Sequence, residues 1–191
     1  MLLATAYALM AAVLHAGWNL IAKRSVDPFL ALWSQFAVAG LLCLPFVILA
    51  GGLPLAGWGW AGLTGLIHLP YVVGLSRAYR TGDFSLAYPV ARGGGALVAA
   101  IGGVLLLGDE FGAGAMMAIG MVIIGLFGLA VGAPRRQVLT ALIVALAIGC
   151  YTIVDSHASR QYEGLSYVFA VFVAIGVGVT VWGVEIGRAH V

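Results

Sequence analysis

The fold is indicated by one long stretch without charge, residues 28–76, whose sequence is PFLALWSQFAVAGLLCLPFVILAGGLPLAGWGWAGLTGLIHLPYVVGLS. About 20 apolar residues of helix cross a bilayer, so this stretch is long enough for two spans. It divides at 51–54, because glycine and proline favour a turn. The pattern therefore predicts two membrane helices here, at 29–50 and 57–78.

The rest of the chain has the same apolar character. Of its 191 residues, 63% are hydrophobic and 8% are charged, and the mean hydropathy is +1.10. These values exclude a soluble globular domain. The uncharged runs, together with 84–107, predict an all-α polytopic membrane protein with short connections. Its seven predicted helices are 2–22, 29–50, 57–78, 84–107, 112–132, 137–156 and 165–184.

Lys and Arg are distributed unevenly between the two sets of loops that these helices create. One set carries Lys23, Arg24, Arg77, Arg80, Arg135 and Arg136. The other set has Arg160 before the last helix. The positive-inside rule places the first set in the cytoplasm and the N-terminus outside. Because the net charge is only +2 and the cations are scattered, no nucleic-acid partner is expected.

A weak internal repeat relates residues 5–25 to residues 138–158, with polar and aromatic positions in phase. If helix six restarts the pattern of helix one, the repeating unit has five helices and the second copy is inverted across the membrane. Inverted repeats of this kind are the architecture of many secondary transporters. We therefore expect a first five-helix unit at 1–132 and the start of a second at 137–184.

The last seven residues, 185–191, have the sequence EIGRAHV. One back-translation of this segment is identical to a common sequencing-library adapter, whereas a genuine basic tail is the alternative. We expect a non-native tail at 185–191 and a natural protein that is longer than this chain.

Polar side chains from three helices are predicted at one level near the middle of the membrane. At 1.5 Å per residue, His15 and Arg92 lie about 12 Å from the cytoplasmic ends of helices one and four. His68 and Tyr71 on helix three lie about 15 Å and 10 Å from the same face. An intramembrane charge indicates a functional site, so Arg92 is a candidate for binding an anionic group. Snorkelling of its long side chain towards the headgroups is the alternative.

The two histidines also have alternative interpretations. His15 is a candidate for proton coupling, because the usual pKa of histidine is near 6.5, or it is a helix-packing residue. His68 is alone in an apolar stretch, which favours packing over proton coupling.

Tyr71 is a candidate for substrate binding, and three further candidates lie near these residues. Trp18 and Asn19 share much of the helical face of His15. Trp18 could instead lie at the membrane interface, and Asn19 could form a bond between helices, for example to helix four. Tyr88 precedes Pro89 and Arg92, at a point where proline frees a backbone carbonyl that can line a cavity.

No acidic residue is expected deep in the membrane. The predicted helix ends contain Asp83, Asp109, Glu110 and Asp155. A site for a lipophilic cation would need a buried carboxylate, so Arg92 and the histidines favour an anionic or zwitterionic substrate.

Two motifs resemble the EamA family of the drug/metabolite transporter superfamily. They are His15-Ala16-Gly17-Trp18-Asn19-Leu20-Ile21-Ala22-Lys23 and the segment 77–93, RAYRTGDFSLAYPVARG. Leu105-Leu106-Leu107-Gly108-Asp109-Glu110 is similar to a leucine-rich stretch of that family. The resemblance implies ten helices in two inverted halves around a path for small metabolites or drugs. The uncharged loop 51–57 departs from the pattern of many members, which carry a basic loop there.

These observations predict a secondary transporter, an exporter of a small metabolite working by alternating access in the bacterial cytoplasmic membrane. The expected partners are the substrate and the lipid bilayer, a homodimer is left open, and no cofactor or metal is expected. A membrane-embedded transferase or hydrolase using His15 or His68 as a base is one alternative. A non-transporting assembly partner is another.

Overall fold

In the residues that it describes, a computed structural model of the protein shows seven α-helices. The structure describes residues 2–81, 83–162 and 164–189. The helices are α1 Leu2–Arg24, α2 Pro28–Leu49, α3 Leu55–Thr81, α4 Phe84–Leu107, α5 Ala113–Ala130, α6 Arg135–Ser159 and α7 Leu165–Ala189. All seven predicted segments are therefore helical, and six of them are also confirmed as candidate membrane spans. The side chains of 184–189, and residues 190–191 entirely, lie outside the described part, so the tail predicted at 185–191 is described only as helical backbone up to Ala189.

Within the described residues, six helices are long and apolar enough to cross a membrane, namely all except α3. The central helix α3 packs against α6 and α7 and buries polar side chains there, including Thr64, His68 and Ser76. Polar groups in this position face other helices instead of lipid. The chain thus has the architecture of a multi-pass helical membrane protein.

Two aspartates fix the starts of helices. The Asp27 carboxylate accepts hydrogen bonds from the backbone N–H groups of Phe29 and Leu30 at the start of α2. Asp83 accepts one from the N–H of Ser85 at the start of α4. Such caps satisfy N–H groups that have no partner inside the helix. They explain why α2 and α4 begin within one residue of the predicted positions.

Contacts between loops group the helix ends into two faces. On one face Arg80 forms an ion pair with Asp27 at 2.9 Å, and its hydrogen bond holds the pKa of that carboxyl below the usual range. On the opposite face Arg160 pairs with Asp109 at 2.7 Å. This grouping agrees with the alternation of loops deduced from the sequence.

The α2–α7 crossing is close and reciprocal. A Cβ atom added to Gly40 would lie 2.9 Å from the Phe172 carbonyl oxygen, and one added to Gly176 would lie 2.8 Å from the Phe36 carbonyl oxygen. In each helix the glycine follows the phenylalanine by four residues. The glycine of each helix therefore contacts the phenylalanine carbonyl oxygen of the other helix. The α4–α6 packing also depends on glycine, since Cβ atoms on Gly95 and Gly149 would clash with the opposite helix.

Candidate functional site

A cavity of about 350 Å³ lies between α1, α2, α3, α6 and α7. Counting from the helix ends, His15 is about 14 Å and Tyr151 about 12 Å inside the membrane-spanning helices. The cavity therefore lies at the level at which the polar residues were predicted to meet. Its polar and aromatic wall includes His15, Trp18, His68, Tyr71, Tyr151 and Asp155.

His15 presents a buried N–H group without an acceptor. The Trp18 indole N–H donates to His15 Nδ1 at 3.3 Å, and the two rings pack edge to face. Because Nδ1 accepts, the proton of a neutral imidazole lies on Nε2. Among the described residues Nε2 is buried and has no hydrogen-bond partner. Trp18 thus orients His15, and Nε2–H is left to donate to a ligand.

Arg92 extends towards the interior of the helix bundle. Its side chain interacts electrostatically with His15, Tyr71 and Tyr151, each of which lines the cavity. Its Nη1 atom is buried and lacks a partner among the described residues. Arg92 therefore lies beside the cavity wall and close to His15. Snorkelling would instead direct its side chain towards the lipid headgroups.

His68 lies in an aromatic cluster. Its ring centroid is 4.3 Å from that of Tyr151, 5.4 Å from that of Tyr71 and 5.7 Å from that of Phe36. Nδ1 lies 2.8 Å from the Thr64 carbonyl oxygen, to which a protonated Nδ1 donates. His68 is buried, and these contacts hold it in a defined orientation at the cavity wall.

Asp155 was predicted at the end of helix six, and the structure places it one turn inside the helix end and at the cavity, because α6 continues to Ser159. Its Oδ1 atom accepts a 2.6 Å hydrogen bond from Thr64 Oγ1 and a 2.8 Å bond from the Tyr167 hydroxyl. The carboxylate is thus held by side chains of α3 and α7.

The structure places Asn19 and Tyr88 outside the cavity wall. Asn19 is buried, accepts a 2.5 Å bond from the Tyr79 hydroxyl and donates to the His15 carbonyl oxygen at 2.7 Å. It therefore joins α1 to α3, instead of α4. Tyr88 stacks on Phe84 with ring centroids 5.0 Å apart.

The residues expected at the site from the sequence did not include Tyr151, Asp155, Thr64 or Tyr167. The available signal was the pair of polar residues Tyr151 and Asp155, which lie one turn apart on α6. No group of three or more His, Cys, Asp or Glu side chains that could hold a metal ion occurs in the part of the chain that the structure describes.

Comparisons with protein-family models, curated proteins and solved structures find no match to this chain. Its function is therefore inferred from the residues of the cavity.

Proposed function

We propose that the protein is a secondary transporter that carries a small metabolite with an anionic group through this cavity. The observation that carries the proposal is a pair of buried donors without acceptors among the described residues. His15 Nε2 belongs to the cavity wall, and Arg92 Nη1 lies beside it, where Arg92 interacts electrostatically with His15. An unsatisfied buried donor costs about 1–3 kcal/mol, and a charged one costs more. A carboxylate or phosphoryl group that accepts from both donors removes this cost when it binds.

The location of the site favours transport over catalysis. The cavity lies near mid-membrane between helices of both predicted units, as binding sites of alternating-access transporters do. A general base would need a nucleophile or a reacting group within hydrogen-bonding reach. The visible donors instead favour binding of an intact anion.

We further propose the inverted-repeat architecture and membership of an EamA-like family. The reciprocal contact of Gly40 and Gly176 supports the repeat, because a two-fold axis relating α2 to α7 would bring equivalent positions of the two helices together. In this arrangement the two halves rock about the cavity and expose it to one side at a time.

The test is Arg92→Ala in the full chain, expressed in bacterial cells. Mass spectrometry of the medium and the cell extract identifies metabolites whose distribution the wild-type protein changes. We expect Arg92→Ala to abolish these changes at equal expression. The control is Arg136→Ala, which removes an exposed cation at the start of α6 and should leave them intact.

Wild-type metabolite changes that persist in Arg92→Ala would contradict the assignment of the binding site. If the wild-type protein changes the distribution of no metabolite, the proposal of a transport function is wrong. Chemical conversion of a metabolite by the detergent-purified protein would favour the membrane-embedded enzyme.

A further inference from the structure

The cavity wall also carries a carboxylate, which the proposed binding of an anionic group does not use. Asp155 lines the cavity from α6, one turn from Tyr151 and about 6 Å from the end of the helix at Ser159. Asp155 also borders a neighbouring groove between α6 and α7, together with Ser156 and Ser159. Its carboxylate is therefore reachable from the cavity and from this groove.

Asp155 and Arg92 do not neutralise each other. No ion pair joins these two described side chains, whereas Arg80 pairs with Asp27 and Arg160 pairs with Asp109. Both Arg92 and Asp155 act electrostatically on Tyr151 at the cavity wall. Two opposite charges thus act on one tyrosine of the cavity wall without forming an ion pair with each other.

The hydrogen bonds of Asp155 leave room for a cationic ligand. The hydroxyls of Thr64 and Tyr167 both donate to Oδ1. Among the described residues no hydrogen bond to Oδ2 is found, so this oxygen can accept from an ammonium group. An ammonium group at this oxygen would form a charge-assisted hydrogen bond with the carboxylate.

We propose that Asp155 is a cation-binding subsite and that the substrate is a zwitterion. Its anionic group binds at His15 and Arg92, and its ammonium group binds at Asp155. This inference rests on the proposed transport function. A single zwitterion compensates the charges of Arg92 and Asp155 in one binding step, which neither a pure anion nor a pure cation can do.

The test uses three matched probe mixtures in sealed vesicles that contain the full chain. The first is a mixture of free amino acids, which are zwitterions. The second is the same mixture after N-acetylation, which removes the positive charge. The third is the mixture of amino acid amides, which lack the carboxylate. We expect uptake of the free mixture to exceed that of the other two by about tenfold or more, as for loss of one buried charge partner.

Asp155→Asn should remove the preference for the free mixture over the N-acetylated one. Asp109→Asn is the matched control. It makes the same chemical change in a carboxylate that forms an ion pair with Arg160 and does not line the cavity, so this variant should keep the preference. Size-exclusion chromatography checks the folding of both variants, and the wild-type comparison decides even if Asp155→Asn does not fold.

Equal or greater uptake of the N-acetylated mixture by the wild-type protein would overturn the zwitterion inference while leaving transport of anions intact. Uptake of none of the three mixtures would overturn the inference for amino-acid-sized zwitterions. The metabolite distributions described above decide separately whether the transport function itself fails.

Discussion

Tyr79 is a single residue that joins two helices in the membrane. Its side chain is only 2% exposed, and its hydroxyl donates to Asn19 on α1. Its backbone carbonyl oxygen accepts a hydrogen bond from Lys23, near the end of α1. Because α1 makes few other contacts with α3, these bonds are important for its position.

We expect Tyr79→Phe to lower the free energy of unfolding by about 1 kcal/mol, because Asn19 Oδ1 loses its buried donor. The measurement is unfolding in mixed detergent micelles, followed by tryptophan fluorescence. Tyr7→Phe is the control, because it makes the same chemical change at a residue that is 59% exposed. An equal effect of the two substitutions would show that the Tyr79 hydroxyl is not stabilising.

At the residue scale, the depth of each polar group along its helix was enough to predict that His15, His68 and Tyr71 meet. Depth does not specify the direction of a side chain, so Asn19 was expected to reach a substrate or α4 although it bonds to Tyr79 on α3. Asp155 was assigned to a helix end because hydropathy falls there. Backbone hydrogen bonding does not follow hydropathy, and no Gly or Pro interrupts 150–163, so α6 continues to Ser159.

At the scale of elements, the α2–α7 crossing has no space for a side chain at Gly40. We expect Gly40→Ala to destabilise the protein by about 1–3 kcal/mol, because the added methyl group clashes with backbone atoms that cannot rotate away. Thermal unfolding in detergent measures the change.

The control is Gly125→Ala on α5, where a Cβ atom would meet nothing within 4 Å. This variant should be as stable as the wild type, or more stable by about 0.5–1 kcal/mol, because alanine favours helix. A tolerated Gly40→Ala would mean that α2 and α7 are packed less closely than described.

All seven helices were predictable from the runs of uncharged residues, because a membrane span must satisfy its backbone hydrogen bonds internally. Their pairing was not predictable. Small residues are spread through α2, α4 and α6, and sequence alone does not determine which of them face another helix. The lower hydropathy of α3 is explained by its central position, which only the packing reveals.

At the scale of the whole molecule, orientation in the membrane is still a prediction from charge. We expect the loops with Lys23, Arg80 and Arg136 in the cytoplasm, because positively charged loops are retained there. Single cysteines at exposed Val131 and Gln161 would lie on opposite faces of the membrane.

The measurement is labelling by a membrane-impermeant maleimide in a background with Cys43→Ala and Cys150→Ala. Gln161→Cys should react in intact cells, and Val131→Cys only after lysis. The reverse pattern would invert the orientation, and labelling of both in intact cells would contradict the placement of these two loops.

The Gly40 and Gly176 crossing also has a mechanical consequence. Neither helix has a side chain at the point of closest approach, so no interlocked rotamers need to separate when the crossing angle changes. The crossing can therefore act as a fulcrum. A rotation of about 10° there would move the start of α2, about 18 Å from Gly40, by roughly 3 Å. A displacement of that size at the helix ends is enough to admit or exclude a water molecule, while the fulcrum itself hardly moves.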